Sequence, residues 1–394
     1  MLKNRIYAFF ESTPERLLFY HRQLMRLARL KHGIDRKKII FTCFGGRSCC
    51  DNPRCIAERL NALRPDVKQI WLFTQTTMND KAFLTTLPDY VHPLYCKSRA
   101  AYEALATARV WVDNFTKDNS IRPVYGRQVY IQTWHGDRAI KKICYDCETF
   151  EDFGYRLEER ADLILTGSDF GQRMYRTAFR YKGEYLNMGA PRNDILVKND
   201  PEQARRIREA LGIDADTGVL LYAPTYREDE DVISMADKFD PAHTLDLLEQ
   251  KTGRKWLLLF RAHYKSVGID LKTLAGRMID VSKYNEMSEL LLISDMLITD
   301  YSSCAMDYIL LDRPAFFYQA DYAHYVSTRP CYYDPKDAPL LIAETREQLD
   351  ALILNTDEAK ARENCRAIRE WYGYNETGRA TEAVCDYIIG KLDS

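Results

Sequence analysis

Apolar runs of strand length alternate with helical patterns over almost the entire chain, and no other feature of the sequence restricts its fold as much. Ile39-Ile40-Phe41-Thr42-Cys43 reads as a strand, Pro53 to Leu63 as a helix, and Gln69-Ile70-Trp71-Leu72-Phe73 as the next strand. Val110-Trp111-Val112, Val129-Tyr130-Ile131 and Leu163-Ile164-Leu165 continue the series. A second series holds Val219-Leu220-Leu221-Tyr222, Trp256-Leu257-Leu258-Leu259-Phe260, Met296-Leu297-Ile298 and Ala315-Phe316-Phe317. These runs are apolar on both sides, so both faces of each sheet must be covered. That is the pattern of parallel α/β sheets flanked by helices.

A polar stretch, Val197-Lys198-Asn199-Asp200-Pro201, and an Arg- and Glu-rich helix ending at Leu211-Gly212 part the two series. At roughly 150 residues per domain, 394 residues suggest two or three domains. The expected division is a basic amphipathic segment over 1–38 and doubly wound, Rossmann-like domains over 39–198 and 199–343. Helices alone fill 344–394 and pack back across the pair. Two such domains face one another across a cleft at the carboxyl ends of their strands, where ligands bind in sheets of this kind.

Charge and cysteine usage narrow the partners and the compartment. Lys and Arg total 56 against 57 Asp and Glu, a net charge of −1 that does not suit a nucleic-acid binder. Eleven cysteines at irregular spacing form no disulfide framework, which points to a reduced, cytoplasmic chain. Cys144-Tyr145-Asp146-Cys147 has CxxC form but lacks a second pair for zinc, so no metal is expected. No window reaches the roughly 20 apolar residues that span a bilayer, and Met1-Leu2-Lys3-Asn4-Arg5 opens no signal peptide. The first forty residues are nevertheless rich in Lys and Arg, with Leu17, Leu18, Tyr20, Leu24, Leu27 and Leu30 at near-helical spacing. A helix so built lies on an anionic membrane surface, or packs with a solvated face.

The chemistry-bearing residues gather at strand ends. The Met296 strand runs through Thr299-Asp300-Tyr301-Ser302-Ser303 into a helix near Cys304. A helix start offers unpaired N–H groups to phosphate, and Ser302 and Ser303 add hydroxyl donors; N-capping explains the same residues structurally. Gln132-Thr133-Trp134-His135-Gly136 follows one first-series strand and Arg261-Ala262-His263 one second-series strand, bringing a histidine from each domain to the cleft. His135 suits a general base, and His263 beside Arg261 suits charge stabilisation on a diphosphate. Arg138, Lys141, Lys142, Arg192 and Arg227 lie near these points, and guanidinium groups bind phosphate oxygens well. The chain has no GxxxxGK[ST], GxGxxG before a helix, HExxH or GxSxG, which argues against P-loop, dehydrogenase, zincin and hydrolase readings.

Several pieces recur in order along most of the chain: Asp51-Asn52-Pro53, Thr133-Trp134-His135-Gly136, Gly167-Ser168 and Gly189-Ala190-Pro191-Arg192-Asn193-Asp194. They continue with Tyr222-Ala223-Pro224-Thr225-Tyr226-Arg227, Arg261-Ala262-His263, Ser294-Asp295 through Asp300-Tyr301-Ser302-Ser303, and Arg313-Pro314 with Tyr318 and Asp321. In this order they resemble the CDP-glycerol glycerophosphotransferase family, the teichoic-acid primases and polymerases of bacterial cell envelopes. The resemblance implies a GT-B fold with a first domain for the acceptor and a second for the CDP-activated donor. It also implies transfer of a polyol phosphate, glycerol phosphate foremost, to an acceptor hydroxyl with release of CMP. His135 would be the base and His263 would assist the diphosphate. Arg227, Arg261, Asp300, Ser302 and Ser303 would hold donor phosphates and nucleotide, while Trp134, Gly136, Arg138 and Arg192 would line the acceptor side.

No cofactor is implied beyond the CDP-polyol substrate. The implied partners are a lipid-linked or polymeric acceptor and the inner face of the cell membrane. The chain departs from the family pattern at Asp137 and Arg138, where Thr and Pro are usual, and at Tyr264, where Pro is common. Asp137 would add negative charge beside the base. A GT-B glycosyltransferase using a nucleotide-sugar, a ribitol-phosphate transferase and a catalytically idle assembly subunit remain alternatives that product analysis separates.

Overall fold

The computed structural model describes residues 14–115, 123, 124, 126–147, 160–225, 239–261, 274 and 276–394, with side chains described from residue 23 onward. The first sheet contains β1 (Asp35–Thr42), β2 (Lys68–Phe73), β3 (Val91–Tyr95), β4 (Ala108–Asp113), β5 (Val129–Gln132), β6 (Leu163–Thr166) and β7 (Glu184–Asn187). Its strand order is β3-β2-β1-β4-β5-β6-β7. The second contains β8 (Gly218–Tyr222), β9 (Trp256–Phe260), β10 (Met278–Asp280), β11 (Met296–Thr299), β12 (Ala315–Tyr318) and β13 (Leu341–Ala343), in the order β10-β9-β8-β11-β12-β13. Every pairing between these strands is parallel.

Successive residues of the central strands feed different cores. Ile39 and Phe41 point to one face, where α2 (Asp51–Leu63) and the C-terminal helix Ala380–Asp393 supply Ile56, Leu60, Val384 and Ile388. Ile40 points to the other, against Met25 and Ala28 of α1 (Pro14–His32) and Leu105 of α3 (Arg99–Thr107). The second sheet repeats this division. Leu221, Leu259 and Leu297 lie on one side, and Leu220, Leu258 and Ile298 on the other. Each such side chain contributes about 1.5–3 kcal/mol of burial, which is why the runs carry no polar alternation.

Both sheets reverse their winding at a switch point, between β1 and β4 in the first and between β8 and β11 in the second. Ligands bind at such points, outside the carboxyl ends of the strands. Helix α4 (Asp169–Ala178) follows β6, and α5 (Met287–Ile293) precedes β11. The very short α6 (Cys304–Tyr308) follows β11 directly. Near the C-terminus α7 (Glu358–Tyr372) packs into the second domain through Cys365 and Ile368, and α8 (Ala380–Asp393) returns to the first. The crossing between them is bonded to the first domain, with Asn375 N–H donating to Gly167 O at 2.8 Å and Thr377 N–H to Met188 O at 3.2 Å.

Candidate active site

His135 leaves β5 at the cleft, and its Nδ1 lies 2.7 Å from the backbone carbonyl oxygen of Asn114, at the end of β4. A carbonyl only accepts, so Nδ1 carries the proton. The neutral ring therefore presents a lone pair at Nε2, which takes no partner among the described residues. Burial draws the imidazole pKa below its ordinary value, against the opposing pull of the Asn114 carbonyl and of Asp51. The ring stacks on Trp134 with centroids 4.5 Å apart and on Phe115 at 5.8 Å, with Phe44 tilted against it at 5.4 Å. Trp134 adopts a left-handed backbone (φ +49°), which bulky residues seldom take away from sites that need it. Asn52 Nδ2 donates to the Trp134 carbonyl at 3.0 Å and holds that turn. Trp134 is thus buried beneath the base and orients it.

The second domain meets this loop through Ser303. A β-carbon on Gly136 would stand 3.3 Å from Ser303 Oγ, so glycine allows the two loops to touch. Ser303 starts α6 without capping it, leaving its hydroxyl free of the helix, whereas Ser302 Oγ accepts weakly from Cys304 N–H at 3.5 Å. Asp300 lies beneath and is buried. Its carboxylate accepts from Thr225 N–H at 2.9 Å, Thr225 Oγ1 at 2.6 Å and Tyr301 N–H at 2.5 Å, tying the ends of β8 and β11 together across the switch point. Asp300 thereby shapes the loop that carries the two serines. Arg261 donates from Nη1 to Tyr284 O at 2.7 Å and is within electrostatic range of Cys50, Cys304 and Glu286. Arg227 and His263 lie outside the described residues.

Arg138 and Arg192 are buried among carboxylates. Arg138 is 1% exposed, and its guanidinium reaches Asp137 at 2.9 Å, Glu376 at 2.7 Å and Asp307 at 3.3 Å while covering the Tyr374 ring. Arg192 Nη2 donates to Asp307 at 3.0 Å, and its Nη1 lies 3.5 Å from Asp51. Both arginines thus pair with protein carboxylates at the seam between domains, while Arg138 Nη1 and Arg192 Nη1 are buried without a hydrogen-bond partner among the described residues. Asp137 also turns inward. Its Oδ2 accepts from Thr166 Oγ1, Gly167 N–H and Ser168 Oγ at 2.7–2.9 Å, so its charge is spent away from the base. These bonds and Arg138 hold the carboxyl below its ordinary pKa although burial opposes them, whereas burial pushes Glu376 up.

Sequence reasoning passed over Asp307, Glu376 and Glu286. Asp307 sits one turn into α6 and binds both arginines and Asn193 Nδ2, the last at 2.8 Å. Glu376 accepts from Ala190 N–H at 3.0 Å. Glu286, before α5, accepts from Asp51 N–H at 3.1 Å and pairs with Arg54 at 3.3 Å across the domain boundary. A regular four-residue spacing from Ser303 to Asp307 was the one available signal. Among the described residues no cluster of three or more His, Cys, Asp or Glu side chains is arranged to hold a metal ion, and no helix is long and apolar enough to cross a membrane.

The profile of the family described as CDP-Glycerol:Poly(glycerophosphate) glycerophosphotransferase matches residues 23–390. The teichoic acid poly(glycerol phosphate) polymerase of Bacillus spizizenii is 32% identical over 372 residues, spanning 90% of this chain and 93% of that protein. The polymerase of the same description from Staphylococcus epidermidis is 34% identical over 322 residues, 77% of this chain, and this chain spans only 43% of that longer protein. The solved wall teichoic acid polymerase TagF, as a His-to-Asn variant soaked with CDPG, superposes with a TM-score of 0.81 at 31% identity. That match covers 95% of this chain and 93% of the other. It identifies the two facing α/β domains as a GT-B-type fold.

Proposed function

Because the chain belongs to the CDP-glycerol:poly(glycerophosphate) glycerophosphotransferase family, we propose that it moves glycerol phosphate from CDP-glycerol to an acceptor hydroxyl in teichoic-acid synthesis. One observation carries the assignment of the base. Among the described residues His135 is fixed through Nδ1, unpartnered at Nε2, and set one glycine away from a Ser303 hydroxyl that does not cap its helix. Nε2 takes the proton of the acceptor hydroxyl, and that oxygen attacks the β-phosphorus. The bond from the β-phosphorus to the bridging oxygen breaks, and CMP leaves with its electron pair. Ser302, Ser303 and Arg261 face the developing charge, which in phosphoryl transfer is where most of the rate enhancement arises. His263 and Arg227, outside the described residues, keep the donor-side roles that the family resemblance implies.

His135→Ala should reduce CMP release by about 10²–10⁴-fold, the usual contribution of a placed general base, with far-UV circular dichroism unchanged. Near-wild-type turnover by this variant would refute the assignment. The same assay distinguishes attack at phosphorus, which yields CMP, from attack at carbon, which releases an intact nucleoside diphosphate. A panel of CDP-polyols separates glycerol from ribitol.

The acceptor in this reading is lipid-linked or polymeric, and the enzyme works at the inner face of the cell membrane. Support comes from α1, whose Met25 and Ala28 face the core while Leu27 and Leu30 are 62% and 76% exposed beside exposed Arg26 and Lys31. Exposed leucines flanked by cations suit an anionic lipid surface.

A further inference from the structure

The turn after β1 carries Arg47, which neither the mechanism nor the family motifs use. Gly46 N–H and Arg47 N–H both donate to Cys43 O, at 2.8 and 3.2 Å, and Thr74 N–H donates to Gly46 O at 2.8 Å. Thr77 Oγ1 donates to Gly46 O at 3.1 Å. Gly46 itself has φ +89°, and a β-carbon there would stand 2.8 Å from Leu72 O, so the turn is pressed against β2. Arg47 therefore projects from a rigid point at the first-domain switch point.

Its guanidinium lies over the Phe115 ring, 5.4 Å from the centroid. The same ring also has His135 at 5.8 Å and Trp134, parallel to it, at 6.3 Å. The guanidinium and the base thus share Phe115 as a common neighbour. Arg47 is exposed, and among the described residues it has no carboxylate partner. Arg54, Arg138 and Arg192, the other first-domain arginines at the cleft, are all paired with carboxylates. Arg261 is likewise without a described carboxylate partner, but it stands on the donor side.

We propose that Arg47, steadied on Phe115, binds a phosphate of the acceptor, so that the enzyme selects a hydroxyl belonging to an already phosphorylated polyol chain. The inference rests on the glycerol-phosphate transfer assigned above. The hydroxyl to be activated must lie at His135 Nε2. In a polyol-phosphate chain the preceding phosphodiester is only a few bonds from the terminal hydroxyl. A cation beside the same ring as the base is placed to meet that phosphate, whereas a neutral sugar acceptor has nothing for it to bind. Guanidinium is the side chain best shaped for the task, since it binds two phosphate oxygens at once while resting on an aromatic face.

The test compares two acceptors at saturating CDP-glycerol: a glycerol-phosphate trimer and free glycerol. Arg47→Gln should lower kcat/KM for the trimer at least tenfold more than for glycerol, with KM for CDP-glycerol within twofold of wild type, and Arg47→Lys should recover part of the loss. Equal losses on both acceptors, an unchanged trimer preference, or weakened donor binding would overturn the proposal. Calorimetric titration of the enzyme with the trimer in the absence of donor reads the subsite independently of turnover. Binding by wild type and its loss in Arg47→Gln support the subsite, and equal binding by both removes it. If the wild type fails to release CMP from CDP-glycerol, the transfer reading falls while the titration still judges Arg47.

Discussion

Glu286 shows what a single side chain can gain from a neighbouring domain. It is 7% exposed, and burial raises its carboxyl pKa to about 7 despite the Asp51 N–H and Arg54 that favour its charge; Asp51 and Glu289 add negative charge nearby. The folded protein thus holds a proton that the unfolded chain releases above the ordinary glutamate value of about 4.3. Stability contributed by this group is present at low pH and declines as pH rises through the window up to about 7. Glu286→Gln removes the charge and keeps an acceptor for Asp51 N–H. The variant should be more stable than wild type at pH 8, by roughly 1–3 kcal/mol, and equal to it near pH 5. Thermal melts at the two values decide the matter, and a variant less stable at pH 8 would contradict it. His135 could be found in the sequence because it ends a strand of evident apolar character. Glu286 could not, because nothing in Asn285-Glu286-Met287 tells that α2 will roof it. The carboxylate partners of Arg138 and Arg192 were hidden for the same reason, since an arginine that meets carboxylates from distant segments has the same local sequence as one that meets solvent or phosphate.

Among elements, the strands that periodicity revealed are the inner ones. β3, β7, β10 and β13, which it missed, stand at the four edges of the two sheets. An edge strand is covered less completely and has less need of continuous apolar sequence. Val91-His92-Pro93-Leu94-Tyr95 even includes a proline, which costs nothing where no further strand needs its N–H. The helix α1 was legible as amphipathic, but its sequence left open which leucines face outward. With Leu27 and Leu30 on the outer surface, replacing both by glutamate should leave the melting temperature nearly unchanged, as exposed substitutions usually do. The same change should abolish cosedimentation with anionic liposomes. Retention of full liposome binding would remove α1 from the membrane contact.

For the molecule as a whole, the seam matters more than either half. Asp307 belongs to the short helix that begins at the serines, and its partners Arg138, Arg192 and Asn193 all belong to the first domain. The charges that join the domains therefore also set the distance between Ser303 and His135. Asp307→Asn leaves two buried arginines short of a counter-charge, and breaking a buried pair of this kind costs about 3–5 kcal/mol. Scanning calorimetry should show the unfolding of the variant split into two transitions, where the wild type unfolds in one. Turnover measured well below the first transition should also fall, because the base and the serines lose their fixed spacing. A single transition together with unchanged turnover would show that the seam does not depend on Asp307.

The last described helix has a bearing on how the protein is made. α8 supplies Val384, Cys385, Ile388 and Leu392 to the core beneath Ile39 and Phe41. On the ribosome the earlier half therefore waits with one flank of its sheet bare until Leu392 has emerged, whereas the later half can already close around α7. The domain translated first is the one completed last, against the usual order in which N-terminal domains settle ahead of those that follow.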